Sequence, residues 1–279
     1  MFNTLISTED LLQHHNDKEW RIFDCRFSLA DSEKGRRDYL ESHIPGAIYA
    51  HLNADLSGAI IPGETGRHPL PDIGDISKRF SGWGIDETVQ VVAYDDMGGM
   101  VAARLWWMLR WLGHPMAAVL DGGWKTWQQE DRPTATDIPQ PEAKNFIADP
   151  HPQYTVDAEL VSLNLDNPEI RLIDSRSADR YRGENETIDP VAGHIPGAIS
   201  LPFAGNLDEN GKFRSPDALA DRFQQFAEGG AEQSVFYCGS GVSACHNLLA
   251  MAHSGTEGAL LYPGSWSDWI TDKQRPIEK

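Results

Sequence analysis

The chain has 279 residues, with 24 Lys and Arg against 42 Asp and Glu, a net charge of −18 with His neutral. A field of that sign repels nucleic acid and anionic membrane surfaces and argues against both as partners. An apolar share of 40% and nine Trp exclude global disorder, so the length reads as two domains of ordinary size or one large one.

The opening stretch MFNTLISTEDLLQHHNDKEW has no apolar run fit for a signal peptide or a membrane span. It carries acids and no Arg, which argues against a mitochondrial transit peptide and leaves a cytoplasmic location as the expectation. Three cysteines, Cys25, Cys238 and Cys245, form a sparse, odd set that fits free thiols in a reducing compartment. No Cys-x-x-Cys or clustered His/Cys spacing suggests a structural zinc site.

Taken in chain order, STEDLLQHH opens with a Ser/Thr cap and acids in the first turn, a helix start. RIFDCR (21–26) and VQVVAY (89–94) read as buried strands. In ARLWWMLRWLG, Trp106, Trp107 and Trp111 recur at helical spacing and read as packing. Residues 133–153 carry Pro133, Pro139, Pro141, Pro150 and Pro152 and read as an extended linker. TVDAELVSL then opens a helix behind a Thr, and RLIDSR (171–176) is a strand. SPDALADRFQQFAEGG is a helix capped at Ser215 and stopped at Gly229-Gly230. SVFYC (234–238) is a buried strand, and ACHNLLAMAHSG a helix ending at Gly255.

The chain is written twice. RIFDCR answers RLIDSR, HIPGAI (43–48) recurs at 194–199, VVAYD (91–95) answers SVFYC, and VLDGGWKTW (119–127) answers LLYPGSWSDW (260–269). Four blocks in one order mean a duplicated domain. The expected organisation is a first domain over 1–132, the linker, and a second domain over 154–279. Strands alternating with helices imply an α/β fold, each copy an open, mostly parallel sheet with helices on both faces. Ligands bind such sheets beyond the carboxyl ends of the strands, where Cys238 stands.

The loop Gly239-Ser240-Gly241-Val242-Ser243 joins that strand end to a helix N-terminus. Its glycines allow a tight turn whose N–H groups face inward and, with the helix dipole, form an anion cradle. A thiol held there ionises more readily and becomes a nucleophile. Cys245 lies farther along the same helix and reads as structural; Cys25, matched by Ser175, reads as packing. The first copy holds Asp95 at the position of Cys238, followed by Asp96, and is read as a scaffold without the site. A phosphatase loop needs an Arg six positions after the Cys, and Ala244 stands there. His246 and Asn247 lie too far along the helix to serve Cys238 as a hydrolase base.

These residues resemble the tandem-domain rhodanese family of sulfurtransferases, over nearly the whole chain. CGSGV followed by Ser and Ala resembles the loop of its 3-mercaptopyruvate sulfurtransferases; thiosulfate-preferring members carry basic residues after the Cys, where Gly239 and Ser240 are neutral. The resemblance implies that Cys238 takes sulfur from 3-mercaptopyruvate or thiosulfate as a persulfide. It passes that sulfur to a thiol, a thioredoxin-like protein or cyanide, with no metal or organic cofactor. Thiosulfate:cyanide transfer as the main activity, or a persulfide carrier fed by a desulfurase, stays open beside it. Arg180 in DSRSADRYRG is implied as the donor's anion partner, with Arg182 the weaker candidate and Arg176 an ion-pair residue at the strand end. Gly239, Ser240, Gly241, Val242 and Ser243 are expected to line the donor, with Ser240 hydrogen-bonding the donor carbonyl or the transferring sulfur. Animal mercaptopyruvate enzymes carry a second Arg further on, where GENETIDPVAGHIPGAI has acids and none. Capture then rests on Arg180 alone or on a residue such as Arg67 in GRHPLPD. His43 matches a family His near the site, although His194 repeats it, which gives both a turn-stabilising reading.

Overall fold

The backbone order follows from where each segment can bury its apolar face. The computed structural model describes all 279 residues, which fall into two compact units. The first comprises residues 1–58, 71–151 and 209–213; the second comprises 59–70, 152–208 and 214–279.

In the first unit the strands are β1 (Leu5–Ile6), β2 (Trp20–Asp24), β3 (Ala47–Tyr49), β4 (Gln90–Tyr94) and β5 (Ala117–Leu120). They pair in parallel in the order β1-β5-β4-β2-β3. The helices are α1 (Thr8–His14), α2 (Lys34–Glu41), α3 (Leu52–Asp55), α4 (Ile73–Gly82), α5 (Ala102–Trp111) and α6 (Gly123–Gln129). Strand β4 is buried along its whole length, as a central parallel strand covered on both faces must be. The Pro-rich stretch runs without regular structure along this unit. It is tied down by Lys144 N to Ser81 O at 2.9 Å and Asp149 N to Leu112 O at 3.0 Å.

In the second unit the strands are β6 (Arg171–Asp174), β7 (Ile199–Ser200), β8 (Ser234–Tyr237) and β9 (Leu260–Leu261), again all parallel, in the order β7-β6-β8-β9. The helices are α7 (Ala158–Leu163), α8 (Ala178–Tyr181), α9 (Pro216–Ala227), α10 (Ser243–His253) and α11 (Ser265–Trp269). The α/β class and the parallel sheets expected from the sequence are both present.

Local signals behave as their chemistry dictates. Ser7 caps α1 through Asp10 N, and Ser215 caps α9 through Ala218 N with Pro216 in the first turn. At α7 the cap is Asp157, which accepts from Leu160 N at 2.8 Å, rather than Thr155; the chain bends two residues later than the Thr suggested. Pairing of β6 with β8 sets Asp174 beside Tyr237, and Ser175 N bonds Tyr237 O at 2.8 Å. The strand ends carrying Asp174-Ser175-Arg176 and Cys238 therefore emerge side by side.

Candidate active site

Cys238 leaves β8 at that edge with 2% of its surface exposed. Three hydrogen bonds from the GSW turn hold its peptide. Cys238 N donates to Ser265 Oγ at 3.0 Å, Trp266 N donates to Cys238 O at 3.0 Å, and Ser267 N donates to Gly239 O at 2.9 Å. Gly241 has φ +74°, and a Cβ there would lie 2.2 Å from Pro263 O, so the turn admits only glycine. Helix α10 starts two residues on. Burial opposes ionisation of the Cys238 thiol. The Ser243 hydroxyl and the N–H groups of Ser240 and Ala244 donate to the sulfur and outweigh it, holding the pKa below its ordinary value. Cys25 has the opposite fate: burial, with Asp95 and Asp24 nearby, pushes its thiol well up. Cys245 Sγ is spent on Gly241 O at 3.3 Å.

Helix α8 presents Arg180. Its Nε donates to Glu186 at 3.0 Å, and its Nη2 donates to Glu186 and to Asp189 Oδ2, each at 3.0 Å. Both carboxylates are almost fully buried. The acidic segment that read as a deficit of positive charge is thus the cradle that orients Arg180. Arg67 belongs to the stretch 59–70, which packs in this same unit. Its Nη1 donates to the other oxygen of Asp189. A Cβ built on Gly239 would lie 2.8 Å from Arg67 Nη2 and 3.5 Å from Arg180 Nη2, so both guanidiniums flank the residue after the thiol. Burial lowers the pKa of Arg67 while Cys238 pulls it back up, and a guanidinium stays charged throughout. Next in sequence, His68 Nδ1 lies 2.7 Å from Ser240 Oγ, both side chains buried. Sequence reasoning did not find this pair, which joins positions 172 residues apart.

The structure thus brings Arg180, Gly239, Ser240, Gly241 and Ser243 together around Cys238, with Val242 buried at the start of α10. Two expected contacts are corrected. Arg182 turns to solvent, its side chain 52% exposed, and pairs with Glu184, because it stands one residue beyond α8 as its C-cap, where the chain leaves the helix. His43 is fully buried in the first unit, stacked on Tyr39, with Nδ1 2.6 Å from Tyr39 O and Nε2 3.0 Å from Asp137 O. Both ring nitrogens are used in holding the turn. His194 repeats the arrangement on Tyr181. Arg176 is the ion-pair residue expected, bonded through Nε and Nη2 to Asp174 and through Nη2 to Gly193 O at 2.7 Å.

The first unit keeps the cradle and fills it. The Asp95 carboxylate accepts from Met97 N and Gly99 N at 2.8 Å each, Val101 N at 2.7 Å and Ala102 N at 2.9 Å. The loop of the first copy therefore contains its own anion. Burial pushes Asp95 up against the pull of those four donors. The tyrosine that stacks on each HIPG histidine also fixes a second match. Asp38 precedes Tyr39 where Arg180 precedes Tyr181.

The family model for the rhodanese-like domain matches residues 7–130 and again 157–272. The chain belongs to the rhodanese family. Among its relatives, a protein of Pseudomonas aeruginosa named probable 3-mercaptopyruvate sulfurtransferase is 42% identical over 275 residues, covering 98% of this chain and 97% of that one. The thiosulfate sulfurtransferase of Bos taurus is 32% identical over 255 residues, 90% of this chain and 84% of that one. A solved 3-mercaptopyruvate sulfurtransferase from Leishmania major superposes with a TM-score of 0.86 at 30% identity, covering 98% of this chain and 75% of that one. No helix of the chain is long and apolar enough to cross a membrane.

Proposed function

We propose that this protein is a sulfurtransferase that moves sulfur from 3-mercaptopyruvate through a persulfide on Cys238 to a thiol or cyanide acceptor. The observation that carries the reading is a thiol held in a ring of hydrogen-bond donors, which lowers its pKa, beside the half-buried guanidinium of Arg180 that Glu186 and Asp189 orient. The Cys238 thiolate attacks the donor's thiol sulfur. An S–S bond forms, the C–S bond breaks, and its electron pair leaves as the enolate of pyruvate. The proton from the donor thiol ends on that carbon, and the persulfide stays as an anion in the loop cradle. Arg180 holds the donor carboxylate. Ser240, its hydroxyl steered by His68, faces the carbonyl oxygen on which charge develops. In the second half an acceptor thiolate or cyanide attacks the outer sulfur and returns Cys238 to its starting state.

A relative named for thiosulfate at 32% identity supports thiosulfate as a second donor. Neutral Gly239 and Ser240 beside the thiol weigh toward the carboxylate donor. The test is kcat/KM for the two donors side by side at one cyanide concentration. A ratio of at least about 100, roughly 3 kcal/mol of transition-state preference, is expected for 3-mercaptopyruvate. A ratio below one would reverse the donor assignment.

A further inference from the structure

The stretch 59–70 reaches the thiol loop and its surroundings through Gly66, Arg67 and His68. Gly66 comes so close to the GSW turn that a Cβ would lie 2.6 Å from Gly264 O and 2.7 Å from Ser267 Oγ. Arg67 N donates to that same Ser267 Oγ at 3.0 Å, and Ser267 N in turn holds Gly239 O at 2.9 Å. One serine therefore ties the backbone of Arg67 to the peptide beside Cys238. Beyond it, Asp189 gives one oxygen to Arg67 and the other to Arg180. The Arg67 side chain is 27% exposed and Arg180 16%, while Asp189 between them is 2%. Two cations this close repel, and a buried carboxylate shared between them is what makes the spacing tolerable. Arg67 Nε is buried with no hydrogen-bond partner, and its Nη2 is aimed at Gly239.

We infer that Arg67 is a second donor-binding residue, forming with Arg180 a two-pronged grip on the carboxylate of a singly charged α-keto acid, and that Asp189 is the positioning residue that sets its spacing. The inference rests on the reading of Cys238 and Arg180 given above. The charges explain the donor class. Arg67 and Arg180 are balanced by Glu186 and Asp189, so the pocket offers directed N–H groups rather than surplus positive field. Two cations already balanced by two carboxylates favour a monoanion over a dianion such as thiosulfate, whose second charge finds no counter-ion there.

The test compares 3-bromopyruvate with bromoacetone, which alkylate the same thiol and differ by the carboxylate. In the full-length Arg67→Met protein both reagents should slow, because the thiol loses a neighbouring cation, and bromopyruvate should slow about tenfold more than bromoacetone. KM for 3-mercaptopyruvate should rise about tenfold or more with kcat within about threefold. Arg67→Lys keeps the charge without the fork and should fall between; it also decides the matter if the Met variant is misfolded. Asp189→Asn should raise KM about fivefold and lower the bromopyruvate-to-bromoacetone rate ratio by about the same factor. An unchanged bromopyruvate-to-bromoacetone ratio in both Arg67 variants would overturn the inference, as would equal slowing of both reagents. A wild-type protein that transfers no sulfur would instead defeat the proposed activity, and the reagent ratio would still decide what Arg67 does.

Discussion

The two loops of this molecule answer one structural problem with opposite chemistry. Each follows a central parallel strand, turns on glycines and points backbone N–H groups at one spot. At that spot the first loop holds the carboxylate of Asp95 with four amides, and the second holds the sulfur of Cys238. A carboxylate fixed by its own loop is a permanent ligand. A thiolate in the same place is a reagent. The surroundings diverge in the same sense. Asp38 stands where Arg180 does, Gly123 where Ser265 grips the Cys238 amide, and Lys125 where Ser267 joins Arg67 to the loop. The cradle alone is a way to cap a strand and start a helix; function required a nucleophile and its cations.

The largest break in the comparison is Cys238→Ser, which should lower sulfur transfer at least about a thousandfold while the fold melts as before. Residual transfer within tenfold of wild type would move the chemistry off this loop. Asp95→Ala should do the reverse, leaving donor KM alone but lowering stability by about 3 kcal/mol in urea titration, since four buried N–H groups lose their acceptor. An unaltered midpoint would mean that the first cradle holds nothing of consequence. Arg180→Gln should raise KM for 3-mercaptopyruvate roughly 30-fold, about 2 kcal/mol, whereas Arg182→Gln changes it less than about twofold. Equal effects would restore Arg182 to the site. Ser243→Ala should act most gently. It removes one donor to the thiolate, so the pH midpoint of Cys238 alkylation moves up and the rate at neutral pH falls about fivefold. The stabilisation is present above the ordinary thiol pKa and is lost as pH falls through the folded one. A midpoint that moved down would remove Ser243 from the cradle.

The duplication, the parallel sheets and the strand-Cys-loop-helix order were legible because each is written in contiguous residues. The glycines of the loop announced their turn, and Asp95 announced the unarmed copy. What stayed hidden joins distant positions. Ser267 with Arg67 spans 200 residues and His68 with Ser240 spans 172, and no periodicity encodes such a meeting. Glu186 and Asp189 misled for a different reason. A carboxylate in sequence counts as negative charge, but buried against guanidiniums it is a bracket for positive charge. His43 misled because a repeated HIPG histidine serves the turn in both copies, which its recurrence at His194 already suggested.

The central claim is that Cys238 carries the sulfur. Incubating the protein with 3-mercaptopyruvate in the absence of acceptor, then mapping peptides by mass spectrometry, tests it directly. A gain of one sulfur atom on the peptide containing Cys238, absent from those containing Cys25, and discharged by cyanide, is the predicted result. A persulfide on Cys25 or Cys245 with Cys238 unmodified, or pyruvate release with no sulfur on Cys238, would contradict it.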